Sequence, residues 1–225
     1  MALIDKALTT LADTKAIAGI PATDTTSDAL LELLINNTSL SIAGYCSRIF
    51  KRGTYTEFIP ASNRQALLLQ QWPIASVSSI VDDGTTMVLN TDYRLDAQDK
   101  AQGQVYRENG WNGKWLVSGL TSDARASSRI LTVTYIAGFY LPGDALYVAG
   151  ADDSLPMDLG MVCAQMVAES YYTTKRGAYG NLKSLSEGGL SYGWGADSAS
   201  YGNLATGIQD KYAVVLNRFR RAVFA

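Results

Sequence analysis

The stretch from Leu155 to Arg176, LPMDLGMVCAQMVAESYYTTKR, constrains the fold more than any other part of the chain. Pro156 suits a first helical turn, where its missing N–H costs nothing, and Asp158 sits where the helix dipole is positive. Lys175 and Arg176 suit the other end. At about 3.6 residues per turn, Asp158, Gln165, Glu169 and Arg176 fall on one narrow line. Leu159, Met161, Val162, Cys163, Met166, Val167 and Tyr171 fill most of the remaining circumference. A helix this apolar all round reads as surrounded by other elements. The residues by themselves indicate a mixed α+β domain in which this helix is the spine, with the N-terminal helices and a β region packed around it.

What the chain lacks narrows its chemistry. It has no histidine, which excludes Ser-His-Asp and Cys-His nucleophile systems, a histidine general base and histidine-ligated zinc or iron. No pair of acids stands out for carboxylate catalysis, so no catalytic, cofactor-binding or metal-binding residue is assigned and the chain reads as a non-enzyme. Asp82-Asp83-Gly84 and Asp152-Asp153 lack the further spaced oxygens of a calcium loop and read as turn acids. Cys46 and Cys163 lie far apart in helical patterns and read as buried thiols. With no leader pattern and no apolar run of about 18 residues, neither secretion nor membrane spanning is expected, and the chain reads as cytosolic when made.

The order along the chain is helical, then β, then helical. Residues 1–50 hold two helices. The first is opened by a capping pattern at Thr10-Asp13; the second, after Thr25-Thr26-Ser27-Asp28, presents Leu31, Leu34, Ile35, Thr38, Ile42 and Tyr45 on one face. Residues 53–140 switch to short β-branched and aromatic runs. Strands are expected at 55–59, 66–69, 77–81, 86–89, 105–107 and 130–136, with Asp83-Gly84 as a tight hairpin turn. The central helix takes 155–176. A Gly-, Ser- and Tyr-rich arm follows at 177–207, where regular structure is not expected and Tyr192, Trp194 and Tyr201 are the candidate anchors. A basic helix closes the chain at 208–222. All of this reads as a single domain spanning 1–225.

The formal net charge of -2 argues against a chain whose main task is gripping nucleic acid. It is unevenly spread. Residues 206–225 carry +3, leaving -5 on the first 205, and a basic end on an acidic body suits an acidic partner or a neighbouring copy. The candidate contact residues are Lys211, Tyr212, Leu216, Arg218, Phe219, Arg220 and Arg221, with Phe219 as anchor and the cations as steering charges.

Several stretches, in order, resemble the head-tail connector (adaptor, or head-completion) proteins of tailed bacteriophages and related gene-transfer particles. They begin with the long helix ending Tyr45-Cys46-Ser47-Arg48, followed by Phe50. Trp72-Pro73-Ile74-Ala75-Ser76-Val77 is similar to a strand entry of that family, and Asn90-Thr91-Asp92-Tyr93-Arg94-Leu95, Val105-Tyr106 and Gly110-Trp111 are similar to its middle β segment. Val133-Thr134-Tyr135-Ile136-Ala137-Gly138-Phe139, Leu155-Pro156 and the closing Leu216, Phe219, Arg220 and Arg221 complete the order. The stretch from Leu141 to Ser154 and the glycine-rich segment depart from the pattern. The resemblance implies an α+β fold, a helical bundle around a long central helix with an inserted β element, and a ring, a dodecamer in the virion, stacked below the portal protein and leading to a stopper or tail-completion protein. Double-stranded DNA passes through it non-specifically. It implies no membrane contact, a place at the head-tail interface of the virion, and the host cytoplasm before assembly. The alternative reading is a non-catalytic sugar- or peptide-binding module that uses the Tyr/Trp/Gly-rich segment.

Overall fold

The computed structural model describes residues 2–61, 64–111, 130–176, 184–187, 190–193 and 210–220. They fall into two compact units. One joins Met1–Arg48 to Tyr140–Ala225, and the other is Ile49–Phe139.

In the first unit, α1 (Leu11–Ile17) starts at Thr10, whose hydroxyl oxygen accepts the Asp13 N–H at 3.0 Å. The expected capping box is half formed, because the Asp13 carboxylate takes the Thr10 hydroxyl proton instead of reaching a backbone N–H. α2 (Asp28–Cys46) begins after Ser27, which spends its hydroxyl on Tyr171 at 2.9 Å rather than on a cap. Between the two helices, buried Lys15 pairs with Asp28 at 2.5 Å and donates to the Asp24 carbonyl at 2.8 Å, so its charge is satisfied where water cannot reach it. Leu31 and Ile35 of α2 meet Val167 and Tyr171 of α4 (Met157–Arg176) in one core. Ser39 reaches Cys163 at 3.7 Å. The loop from Leu141 to Ser154 closes on itself. Tyr140 N–H donates to the Asp153 carbonyl and Leu155 N–H to the Tyr140 carbonyl, both at 2.9 Å, while the Asp144 carboxylate accepts the Leu141 N–H at 2.8 Å.

The second unit contains β1 (Gly53–Pro60), β2 (Ala66–Leu68), β3 (Ile74–Asp82), β4 (Thr85–Thr86), α3 (Ala97–Gln102), β5 (Gln104–Tyr106) and β6 (Ile130–Ala137). An antiparallel sheet runs in the order β1-β6-β3-β4, and β2 pairs with β5. β6 alternates as its sequence suggests, with Leu131, Val133, Tyr135 and Ala137 turned inward. β3 and β4 meet through Asp83 and Gly84, both at positive φ (51° and 81°), the backbone of a type I′ hairpin turn. Ile80, Val105, Trp111, Leu131 and Val133 are among the residues of a core that belongs to this unit. Beside it, the largely buried Glu57 carboxylate accepts the Gln70 N–H at 3.0 and 3.1 Å and the Tyr135 hydroxyl, while the Tyr135 oxygen accepts the Gln71 N–H at 3.1 Å. These two donors hold the carboxylate in place and compensate part of the cost of burying it.

The expected architecture, a helical bundle around a long central helix with an inserted β element, is overturned. The fold is α+β, with a four-stranded antiparallel sheet, smaller two-stranded sheets and, among the described residues, five α-helices. Two physical reasons account for the difference. α4 keeps a solvent side, with Met157 66% and Met161 49% exposed, so an apolar circumference did not mean a surrounded helix. The strands also bury their inward side chains against each other and Trp111, which gives Ile49–Phe139 a core that needs no organising helix.

Three elements run against the sequence reading. α3 was not expected, and β7 (Ser184–Glu187) and β8 (Leu190–Gly193) form an antiparallel hairpin inside the glycine-rich segment. α5 (Asp210–Leu216), continued by a 3-10 turn at Asn217–Phe219, lies within the last expected helix.

Candidate functional site

The candidate contact residues gather on α5 and the turn after it. Tyr212 and Leu216 point into the first unit and are buried there. Tyr45 on α2 donates its hydroxyl to Asn217 Oδ1 at 2.8 Å, and the Cys46 thiol faces the Leu216 carbonyl at 3.6 Å. The apolar row read along this helix is thus taken up, in its described part, mainly by the chain's own helices. Phe219 is half-buried.

The cations lie outside. Lys211 pairs with Glu169 of α4 and sits 4.8 Å from the centre of the Tyr212 ring. Arg218 is 3.9 Å from Asp158, and Arg220 lies 5.5 Å from the Tyr45 ring centre. Exposed pairs of this kind contribute from nothing to about 1 kcal/mol each, so they orient the helix more than they fix it. Arg221, Trp194 and Tyr201 lie outside the described residues, and Tyr192 is on β8 opposite Leu185.

Val214 was missed in the sequence. It is 68% exposed, with Lys211 three residues before it and Arg218 four residues after it, so the outward side of α5 is an apolar residue between two cations. The same spacing in the sequence carried the signal. A second feature was also missed: an apolar groove of about 390 Å³ in the first unit, lined by Leu8, Ala16, Ile17, Leu155, Met157 and Met161 among others. Asp13 lies on its wall. No single stretch of sequence could reveal it, because its walls come from the segment before α1, from α1 itself, from the 141–155 loop and from α4.

The thiols are buried and free. Burial pushes Cys163 up to about 12, only partly opposed by the Ser39 hydroxyl, and pushes Cys46 up to about 11 against the pull of Arg48 and Arg220. Burial, then the Glu169 carboxylate, raises the Tyr212 phenol as well. For both thiols the fold favours the protonated form, so the stabilisation is complete below the ordinary thiol value of 9.0 and is lost as pH rises toward the folded values. Urea unfolding free energies should therefore fall between pH 9 and 11, with Cys163 contributing on the order of 1 kcal/mol per pH unit. The Cys163→Ala chain should be less stable at pH 8 but lose less on going to pH 10.5. Equal losses in the two chains would remove Cys163 from the account.

Among the described residues, no group of three His, Cys, Asp or Glu could hold a metal ion, and no helix is long and apolar enough to cross a membrane. No family model matches this sequence, and no curated protein matches it. Solved structures do. One is the neck of an empty gene transfer agent particle, computed with C6 symmetry; another is the virion of the native gene transfer agent particle. Each likeness has a TM-score of 0.50 at 15% identity and covers 100% of this chain and 95% of the other. A likeness this distant in sequence is one of fold.

Proposed function

We propose that the chain is a structural protein of the neck of a tailed-phage-like particle, a head-tail adaptor that carries out no reaction. It forms a ring below the portal protein, lets double-stranded DNA pass without reading its sequence, and joins the head to the stopper or tail-completion protein. The observation that carries this reading is the coverage of the likeness: the whole chain, both units included, follows a chain from a gene transfer agent neck. A shared fold alone leaves function open, so the site has to agree with it. Support comes from an acidic body with exposed cations at Lys211, Arg218 and Arg220, an asymmetry that suits head-to-tail contacts around a rotation axis. The small net charge fits a conduit along which DNA must slide.

On this reading the whole chain acts as a single connector, a dodecamer in the virion, with Arg221 adding to the cations of the terminal turn. Removing the gene from a particle-producing strain tests it. Heads should fill with DNA, fail to retain it and carry no tails, and the full-length chain supplied in trans should restore tailed particles. Normal tailed particles in its absence would end the proposal.

A further inference from the structure

The groove and the outward side of α5 are complementary in shape class and in charge. The groove presents methionine and aliphatic side chains, with Leu146 and Val148 exposed on the loop beside it. Asp13 lies on its wall, the 141–155 loop that forms one side of it carries Asp144, Asp152 and Asp153, and no Lys or Arg occurs between Tyr140 and Gly160. α5 offers the converse, Val214 between Lys211 and Arg218. On α4, the groove is lined by Met157, Gly160, Met161 and Ala164, whereas Asp158 and Glu169 meet the cations of α5. These two sets are separated by about a third of a turn around the helix axis. One chain's α5 therefore packs on a different side of α4 from its own groove, and the two surfaces do not overlap.

We infer that the groove is the seat for α5 of a second copy of this chain, with Val214 as the inserted residue and with Lys211 and Arg218, whose pairs to Glu169 and Asp158 within their own chain are exposed and exchangeable, beside Asp13 and the acidic loop. The inference deepens the ring reading above and rests on it. Because donor and acceptor surfaces differ, the contact is heterologous: each copy uses one surface toward each neighbour, and repetition about an axis closes a ring. Charge sets the register and speeds encounter, and the apolar insertion supplies most of the hold.

The test uses the full chain and two variants, Val214→Glu, which spoils the inserted residue, and Met161→Glu, which spoils the groove. Both positions are exposed, so both variants should melt like the wild type, which excludes misfolding as the cause of any loss. By sedimentation velocity across a concentration series, the wild type should associate and each variant should raise the dissociation constant at least about tenfold. An equimolar mixture of the two variants should form dimers and stop there, since one good donor surface meets one good groove and nothing further can add. The inference is overturned by variants that assemble like the wild type, by a mixture that gives no dimer, or by a wild type that stays monomeric throughout. It is equally overturned by a Met161→Glu chain that self-assembles normally but no longer binds portal protein, which would give the groove to a different partner. None of these outcomes decides the neck reading, which stands or falls with the gene-removal test in particles.

Discussion

An Ile35→Asp chain should fail to hold its helical unit. Ile35 has no exposed surface and packs with Leu31, Val167 and Tyr171. The neighbouring polar side chains are already committed, Asn36 to the Ile4 N–H and the Ala2 carbonyl, Ser39 to the Leu8 N–H. A carboxylate placed there would meet neither water nor a cation, at a cost of about 4 kcal/mol or more. Whole domains have only about 5–15 kcal/mol to lose. Far-UV circular dichroism at 25 °C and the soluble fraction after expression will show it. Leu33→Asp is the control, two residues away on the same helix but 48% exposed, and it should lie within about 0.5 kcal/mol of the wild type. If the two variants melt alike, the α2–α4 core does not hold this unit together.

The second large effect is expected at Gly138. Its φ of 97° is one that side-chain-bearing residues rarely adopt, and a Cβ there would stand 2.7 Å from the Lys51 carbonyl oxygen and 2.8 Å from that of Phe50. Both obstacles are backbone, so neither can swing away. The same junction carries the Phe139 N–H to Phe50 carbonyl bond at 2.8 Å, the Arg52 N–H to Phe139 carbonyl bond at 2.8 Å and the Gly138 N–H to Pro73 carbonyl bond at 3.0 Å. Gly138→Ala should cost about 2–4 kcal/mol, the sum of backbone strain and displaced ladder bonds. Gly44 is the contrast. It lies inside α2 with open space where a Cβ would go, so Gly44→Ala should stabilise by up to about 1 kcal/mol. Chemical denaturation of both variants checks the pair, and a neutral Gly138→Ala would mean that the junction is looser than its geometry.

Gly138 also illustrates what could be read beforehand. The Val133–Phe139 stretch announced a strand, and the strand ends one residue before the glycine. That the glycine was needed for a positive φ against two carbonyls could not be read, because Phe50 and Lys51 are far away in sequence. Elements set by local rules were legible: the Asp83-Gly84 turn, the alternation of β6, the start of α1 at Thr10. The architecture was not. A helical wheel records which side chains are apolar but not how many neighbours arrive to cover them, so the exposed Met161 was counted as core. The glycines of 177–207 concealed the β7–β8 hairpin in the same way, because a pair of short strands is stabilised by its pairing rather than by residue preference.

The candidate site was half legible for a similar reason. The cations of the last helix and the acidic excess elsewhere are properties of sequence, and they pointed to a contact between unlike surfaces. Which residues of α5 face outward depended on what its own chain offers. Tyr45, Cys46 and Glu169 draw Asn217, Leu216 and Lys211 toward α2 and α4, which leaves Val214 in solvent. The groove that would receive it exists only once residues 8–17 and 142–164 have come together.

The most direct test of the central claim is to locate the chain in the particle itself by cryo-electron microscopy of the neck in the strain that makes it. The account predicts a ring of copies between portal and tail, with α5 of each copy lying against the Met157–Met161 groove of the next. Particles whose neck density has no place for this fold, in a strain that expresses the chain, would contradict it.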